Sequence, residues 1–141
     1  MPSRRADATW TGTHKDGDGR MRTGSGDFKG AFSFASRFEG EPESSPEELV
    51  AAAHAGCFTM AFANALDGSG YDPQEVHTGA TVNLEQADDG FAITGIALVT
   101  EAEVPDVDEA AFREIATQAN CPVSKALAAV EDVTPDATLT R

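Results

Sequence analysis

The sequence predicts an α+β fold in which antiparallel sheets pack on one central, buried helix. Three observations lead there. Strand-like segments arrive in hairpins instead of alternating singly with helices, which separates the chain from the doubly wound α/β class. One segment, SPEELVAAAHAGCFTMAFANAL (45–66), is apolar around almost its whole circumference and has to be covered on most sides. Finally, 141 residues with a 40% hydrophobic share can bury a core of their own, so a single domain over residues 1–141 is expected.

The elements follow in order. ADATWTGTH (6–14) alternates in part around Trp10, KDGDG supplies a turn, and RMRTGSG returns as a second strand. AFSFASRF (31–38) alternates cleanly, with Phe32, Phe34 and Ser36 on one face and Ser33, Ala35 and Arg37 on the other. A third strand is expected there, with Arg37 projecting away from the core. The apolar helix comes next. Ser45 can cap it, Pro46 suits the first helical position, Glu48 completes a capping box, and Asp67-Gly68 is the stop signal. EVHTGATVNLEQA (75–87) and FAITGIALVTEAEV (91–104) read as a hairpin around Asp88-Asp89-Gly90. VPDVDEAAFREIATQAN carries a second helix capped by Asp106 or Asp108, PVSKALAAV (122–130) a third, and DATLT a closing strand. The expected order is β-β-β-α-β-β-α-α-β.

Charge narrows the function classes. Asp and Glu total 24 against 10 Lys and Arg, for a net charge of −14, and only Lys15, Lys29 and Lys125 are lysines. Such a surface repels nucleic acid and anionic membranes, so neither is an expected partner. It would suit a salt-rich cytoplasm, where salt screens the mutual repulsion, or simply an acidic bacterial enzyme. The N-terminal residues lack the apolar stretch of a signal peptide, and no run of eighteen apolar residues lacks a polar break. A cytoplasmic location is expected.

Two cysteines are too few for a disulfide scaffold, which leaves buried or reactive thiols. Cys57 lies in mid-helix, where a free cysteine ordinarily packs as a small hydrophobe. Cys121, in Asn120-Cys121-Pro122, falls at or next to a helix N-cap, where backbone N–H groups favour a thiolate. A thiolate at Cys57 would need a cation beside it, for which Arg37 is a candidate, held in turn by Glu47 or Glu39. Glu47 and Cys57 are ten residues apart on one helix, about 15 Å along its axis. One guanidinium could span them only with every side chain stretched. A partner subunit offering Glu47 across a two-fold interface is the simpler arrangement, and the all-round apolar helix asks for such an interface.

The segments SRFEG (36–40), SPEELVAAAHAGCFTMA (45–61), GFAITGIAL (90–98) and NCPVSKAL (120–127) resemble those of the osmotically inducible protein C and organic hydroperoxide resistance (OsmC/Ohr) family, and of its OsmC branch in particular. The resemblance runs from Trp10 to the terminal strand. It implies an OsmC/Ohr-like fold in an intimate homodimer, and a thiol-dependent peroxidase that reduces organic hydroperoxides, and hydrogen peroxide less well, in stress defence. By that pattern Cys57 is the peroxidatic cysteine and Cys121 the resolving one. Arg37 stabilises the thiolate and the peroxide, and Glu47 orients Arg37. The Ohr branch draws its arginine from the N-terminal region, so Arg20 and Arg22 are second candidates. No bound cofactor is implied; the reductant is expected to be an external lipoyl-type dithiol.

Other readings remain at this stage. A protein of the same fold without catalysis would serve as a binding protein. His54 and Cys57 share a helical face and, with Cys121 or His77, invite a metal site, although no CxxC pair is present. A cysteine hydrolase using His54 as base lacks an orienting acid. DGDG (16–19) lacks the twelve-residue calcium-loop pattern and reads as a turn.

Overall fold

The computed structural model describes residues 2–130 and 132–140. Its elements are β1 (Ala6–Thr11), β2 (Asp18–Thr23), β3 (Lys29–Phe32), α1 (Phe34–Phe38), α2 (Pro46–Gly68), β4 (Glu75–Ala87), β5 (Gly90–Glu103), α3 (Glu109–Thr117), α4 (Pro122–Ala126) and β6 (Asp132–Leu139). The α+β class expected from the hairpins holds. The chain divides into two compact units, residues 1–49 and 50–141, with α2 starting in the first and running through the second.

The first unit is an antiparallel meander in the order β1-β2-β3. Trp10, Gly19 and Phe32 lie in one cross-strand row. Because Gly19 has no side chain, the Trp10 and Phe32 rings meet over it at 5.4 Å; a Cβ there would collide with both. The Trp10 indole donates to the Thr13 carbonyl at 3.1 Å, which anchors the turn to β2.

One expected element is overturned here. Residues 31–38 are not a single strand: β3 stops at Phe32 and Phe34–Phe38 is helical. A short-range hydrogen-bond motif wins over the alternation. The Ser33 hydroxyl accepts the Ser36 N–H at 3.0 Å, and the Ser36 hydroxyl accepts the Ser33 N–H at 2.8 Å. That reciprocal box starts a helix. The Ser36 hydroxyl also donates to the Ser44 carbonyl at 2.9 Å, fixing the loop that leads to α2. Arg37 therefore projects from a helical turn.

At the start of α2 the Ser45 hydroxyl accepts the Glu48 N–H at 3.1 Å, as the cap signal predicts. In the second unit α2 buries one stripe at four-residue spacing: His54, Phe58, Phe62 and Leu66. On the opposite face Met60 is 78% exposed among the described residues. By length and composition α2 is apolar enough to cross a bilayer. Its buried stripe instead meets Ile96, Leu98 and Val104 of the β5 segment and Phe112 of α3 in one core.

The β4-β5 hairpin turns at Asp88-Asp89, and Gly90 takes the positive φ of 127° that closes it. β5 then buries alternate residues from Ile96 to Ala102, as a half-buried strand should, and Val104 just beyond its end continues the row. The one polar member of that row, Thr100, meets Thr78 hydroxyl to hydroxyl at 2.6 Å. β6 departs from the all-antiparallel expectation, because it pairs parallel to β5. The intervening α3 and α4 carry the chain back to the starting edge, the connection that parallel pairing requires. Pro135 is tolerated because β6 is an edge strand. Of the two proposed caps for α3, Asp108 serves: its carboxylate accepts the Ala111 N–H at 2.8 Å.

Candidate active site

Each unit carries one pair of the residues singled out above. In the first, Arg37 and Glu47 form a forked ion pair within one chain. The Arg37 Nε donates to Glu47 Oε1 at 3.1 Å and Oε2 at 3.2 Å, while Nη2 donates to Oε2 at 3.1 Å. α1 supplies the arginine, and the first turn of α2 supplies the glutamate, which is nearly buried. The Arg37 guanidinium also lies over the Phe38 ring at 5.1 Å. Two contacts on two faces fix a group that would otherwise be loose. The arginine stands at a cleft of about 390 Å³ lined by Trp10, His14, Phe32, Phe34 and Phe38. Arg20 and Arg22 are exposed on β2, and Arg22 pairs with Asp7 at 3.3 Å. Glu47 thus has its arginine without help from a second subunit.

In the second unit, Cys57 of α2 and Cys121 come together as free thiols. Cys121 is the N-cap of α4, buried in the core, and its sulfur accepts the Ser124 N–H at 3.3 Å. The pair is electrostatically uneven. Burial and the hydrogen bond that Cys57 donates to Cys121 push the Cys57 thiol up, outweighing the Val123 N–H that favours its thiolate. Burial also opposes ionisation of Cys121, but hydrogen bonds from Cys57, from the Ser124 side chain and from the Ser124 and Val123 N–H groups outweigh it. Cys121 is held below the ordinary thiol value. When the two share one proton, the sulfur with more donors keeps the charge.

His54, one turn before Cys57 on α2, is fully buried, and its Nε2 lies 2.6 Å from the Ser124 hydroxyl. Burial lowers its pKa. His54 is therefore engaged by Ser124, and among the described residues no three His, Cys, Asp or Glu side chains gather as metal ligands. The sequence offers His54 as a metal ligand or a base and does not point to Ser124 as its partner. The available signal was the Cys-Pro-Val-Ser spacing, which puts a hydroxyl three residues after a capping sulfur.

Sheet order, the central helix and the two thiols meeting at one helix cap define a protein class. The chain belongs to the OsmC-like protein family, which matches residues 39–135. It is similar to the peroxiredoxin OsmC of Escherichia coli (strain K12), with 43% identity over 129 residues, 89% of this chain and 90% of that protein. The fold is shared with the organic hydroperoxide resistance protein OhrB of Bacillus subtilis, at a TM-score of 0.71 and 24% identity, over 96% of this chain and 98% of that one. An OsmC-like protein from Mycoplasma pneumoniae superposes with a TM-score of 0.76 at 16% identity, over 99% of both chains.

Proposed function

We propose that the protein is a thiol peroxidase that reduces organic hydroperoxides to alcohols, with hydrogen peroxide a poorer substrate, in defence against oxidative and osmotic stress. The observation that carries this reading is the Cys57–Cys121 pair, two free thiols joined by a hydrogen bond from Cys57 to Cys121. The curated relative named as a peroxiredoxin supports it.

The chemistry balances as follows. The Cys57 thiolate attacks the distal oxygen of ROOH, the O–O bond breaks, and RO⁻ leaves and takes a proton to become the alcohol. Cys57 is now a sulfenic acid. The Cys121 thiolate attacks its sulfur, the S–O bond breaks, and hydroxide leaves as water once protonated. An external dithiol of the lipoyl type reduces the disulfide by two exchanges and is itself oxidised to a cyclic disulfide. To the Arg37 guanidinium, held by Glu47, we assign the role of offsetting the negative charge on the Cys57 sulfur and on the peroxide oxygens, a role Cys57 needs because burial opposes its thiolate. No resident cofactor takes part.

The active unit under this reading is a cytoplasmic homodimer with composite sites. The exposed face of α2 supports it, since exposed apolar surface centred on residues such as Met60 is stabilised by a second copy. The Arg37–Glu47 pair lies within one chain, so Glu47 needs no foreign arginine across that interface.

The test is turnover of cumene or tert-butyl hydroperoxide with dihydrolipoamide, beside Cys57→Ser and Cys121→Ser. Loss of turnover in Cys57→Ser, and a trappable sulfenic acid in Cys121→Ser, is the expected result. Thiols left unoxidised by excess peroxide would instead make this a binding protein of the same fold.

A further inference from the structure

Ser124 touches two functional groups at once. Its backbone N–H donates to the Cys121 sulfur at 3.3 Å, and its hydroxyl lies 2.6 Å from His54 Nε2. His54 is fully buried, and its Nδ1 has no hydrogen-bond partner among the described residues. That orphan fixes the tautomer. A bare buried N–H costs more than an idle lone pair, so the proton of the neutral ring belongs on Nε2. Nε2–H then donates to the Ser124 oxygen. With its oxygen occupied as an acceptor, the hydroxyl has its proton free to point at Cys121.

We propose that His54 is a positioning residue that acts through Ser124: it orients the Ser124 hydroxyl as a donor to Cys121 and so keeps the resolving sulfur ready to close the disulfide. The consequence for turnover rests on the peroxidase reading above; the geometric claim does not. Closure competes with a second oxidation, in which Cys57–SOH and another ROOH give the sulfinic acid and ROH. A slower Cys121 leaves the sulfenic acid exposed for longer. The His54–Ser124 bond therefore sets how much peroxide the protein survives. The titratable groups facing the Cys121 sulfur are Cys57 of α2 and, behind Ser124, His54 of the same helix. Lys125, on α4 itself, is exposed, and the core cluster around Cys121 is otherwise apolar.

The experiment has two arms on the full-length protein. In a Cys57→Ser background Cys121 is the only thiol, and its ionisation is read by the ultraviolet absorbance of the thiolate against pH. Ser124→Ala and His54→Leu should each move that titration to higher pH, the double variant no further than either single. His54→Gln, whose amide can still donate to Ser124, should restore it. With Cys57 present, the same variants should close the disulfide about tenfold more slowly, the order expected for one hydrogen bond to a charged sulfur. They should also accumulate Cys57 sulfinic acid, seen by mass spectrometry, at lower peroxide. A Cys121 titration unmoved in folded Ser124→Ala, or a His54→Gln variant no better than His54→Leu, overturns the proposal. Ser124→Ala replaces a partly exposed side chain, so the test does not depend on the buried His54 variants folding. If wild-type Cys57 is not oxidised by peroxide, the peroxidase reading falls while the titration arm still decides the role of His54.

Discussion

At the scale of single residues, Arg37 has the carboxylate partner expected for it, but on a helical backbone where a strand was expected. The resemblance carried by SRFEG implies a site role for Arg37, and a carboxylate partner was expected from the cost of an unpaired charge. Its placement on a strand was wrong, because Ser33 and Ser36 start a helix three residues earlier. His54 and Ser124 are the opposite case. Their bond spans 70 positions, and no local pattern encodes a contact that only the folded core creates. The forked geometry at Arg37 yields a prediction. Lysine in its place offers one point charge instead of two parallel donors, so the hold on Glu47 loosens. Burial raises the Cys57 pKa, so without a well-placed cation its thiolate fraction falls as pH drops below that raised value. Arg37→Lys should lower kcat/KM about 10- to 100-fold at neutral pH, with the deficit shrinking as pH rises. A pH–rate profile checks this; a deficit equal at every pH would mean the arginine does something other than tune the thiol.

Among the elements, α2 was legible in full and its surroundings were not. Cap, length and stop followed from Ser45, Pro46 and the Asp67-Gly68 pair, and the helix runs from Pro46 to Gly68. What the apolar pattern could not say is which side faces this chain's own core, because a sequence apolar all round has no preferred face. The four-residue stripe through Phe62 settles it. Phe62 is fully buried, with ring contacts to Phe58 at 6.0 Å and Phe112 at 5.1 Å. Phe62→Ala should destabilise the protein by about 3–5 kcal/mol through lost burial and the cavity left behind, measured by urea unfolding. A cost under about 1 kcal/mol would show that the core collapses around the gap. The parallel pairing of β6 was hidden for a related reason. Strand direction depends on where α3 and α4 deliver the chain, which is a property of packing rather than of the strand's own residues.

For the molecule as a whole, the net charge of −14 is the dominant quantity. Ion pairs do little to relieve it: of the three described bridges, two join exposed side chains, and only Arg37–Glu47 is partly shielded. Like charges on a compact body repel, and the unfolded chain relieves that repulsion by expanding. Raising salt from about 0.1 M to about 1 M shortens the screening length from about 10 Å to about 3 Å. The melting temperature should therefore climb by about 3 °C, equivalent to about 1 kcal/mol. A melting temperature that falls with sodium chloride would mean that specific pairs outweigh the general repulsion.

The row of Trp10, Gly19 and Phe32 bears on how the molecule can be watched. Trp10 is the chain's one tryptophan and lies in residues 1–49, whereas the long stretch of α2 and all of α3 and α4 lie beyond residue 49. Indole emission is thus a built-in lamp for the β-meander alone, while helical circular dichroism reads chiefly the other unit. With no label attached, two optical channels follow two parts of one chain, and any event that disturbs one unit before the other will show as a separation between them in time.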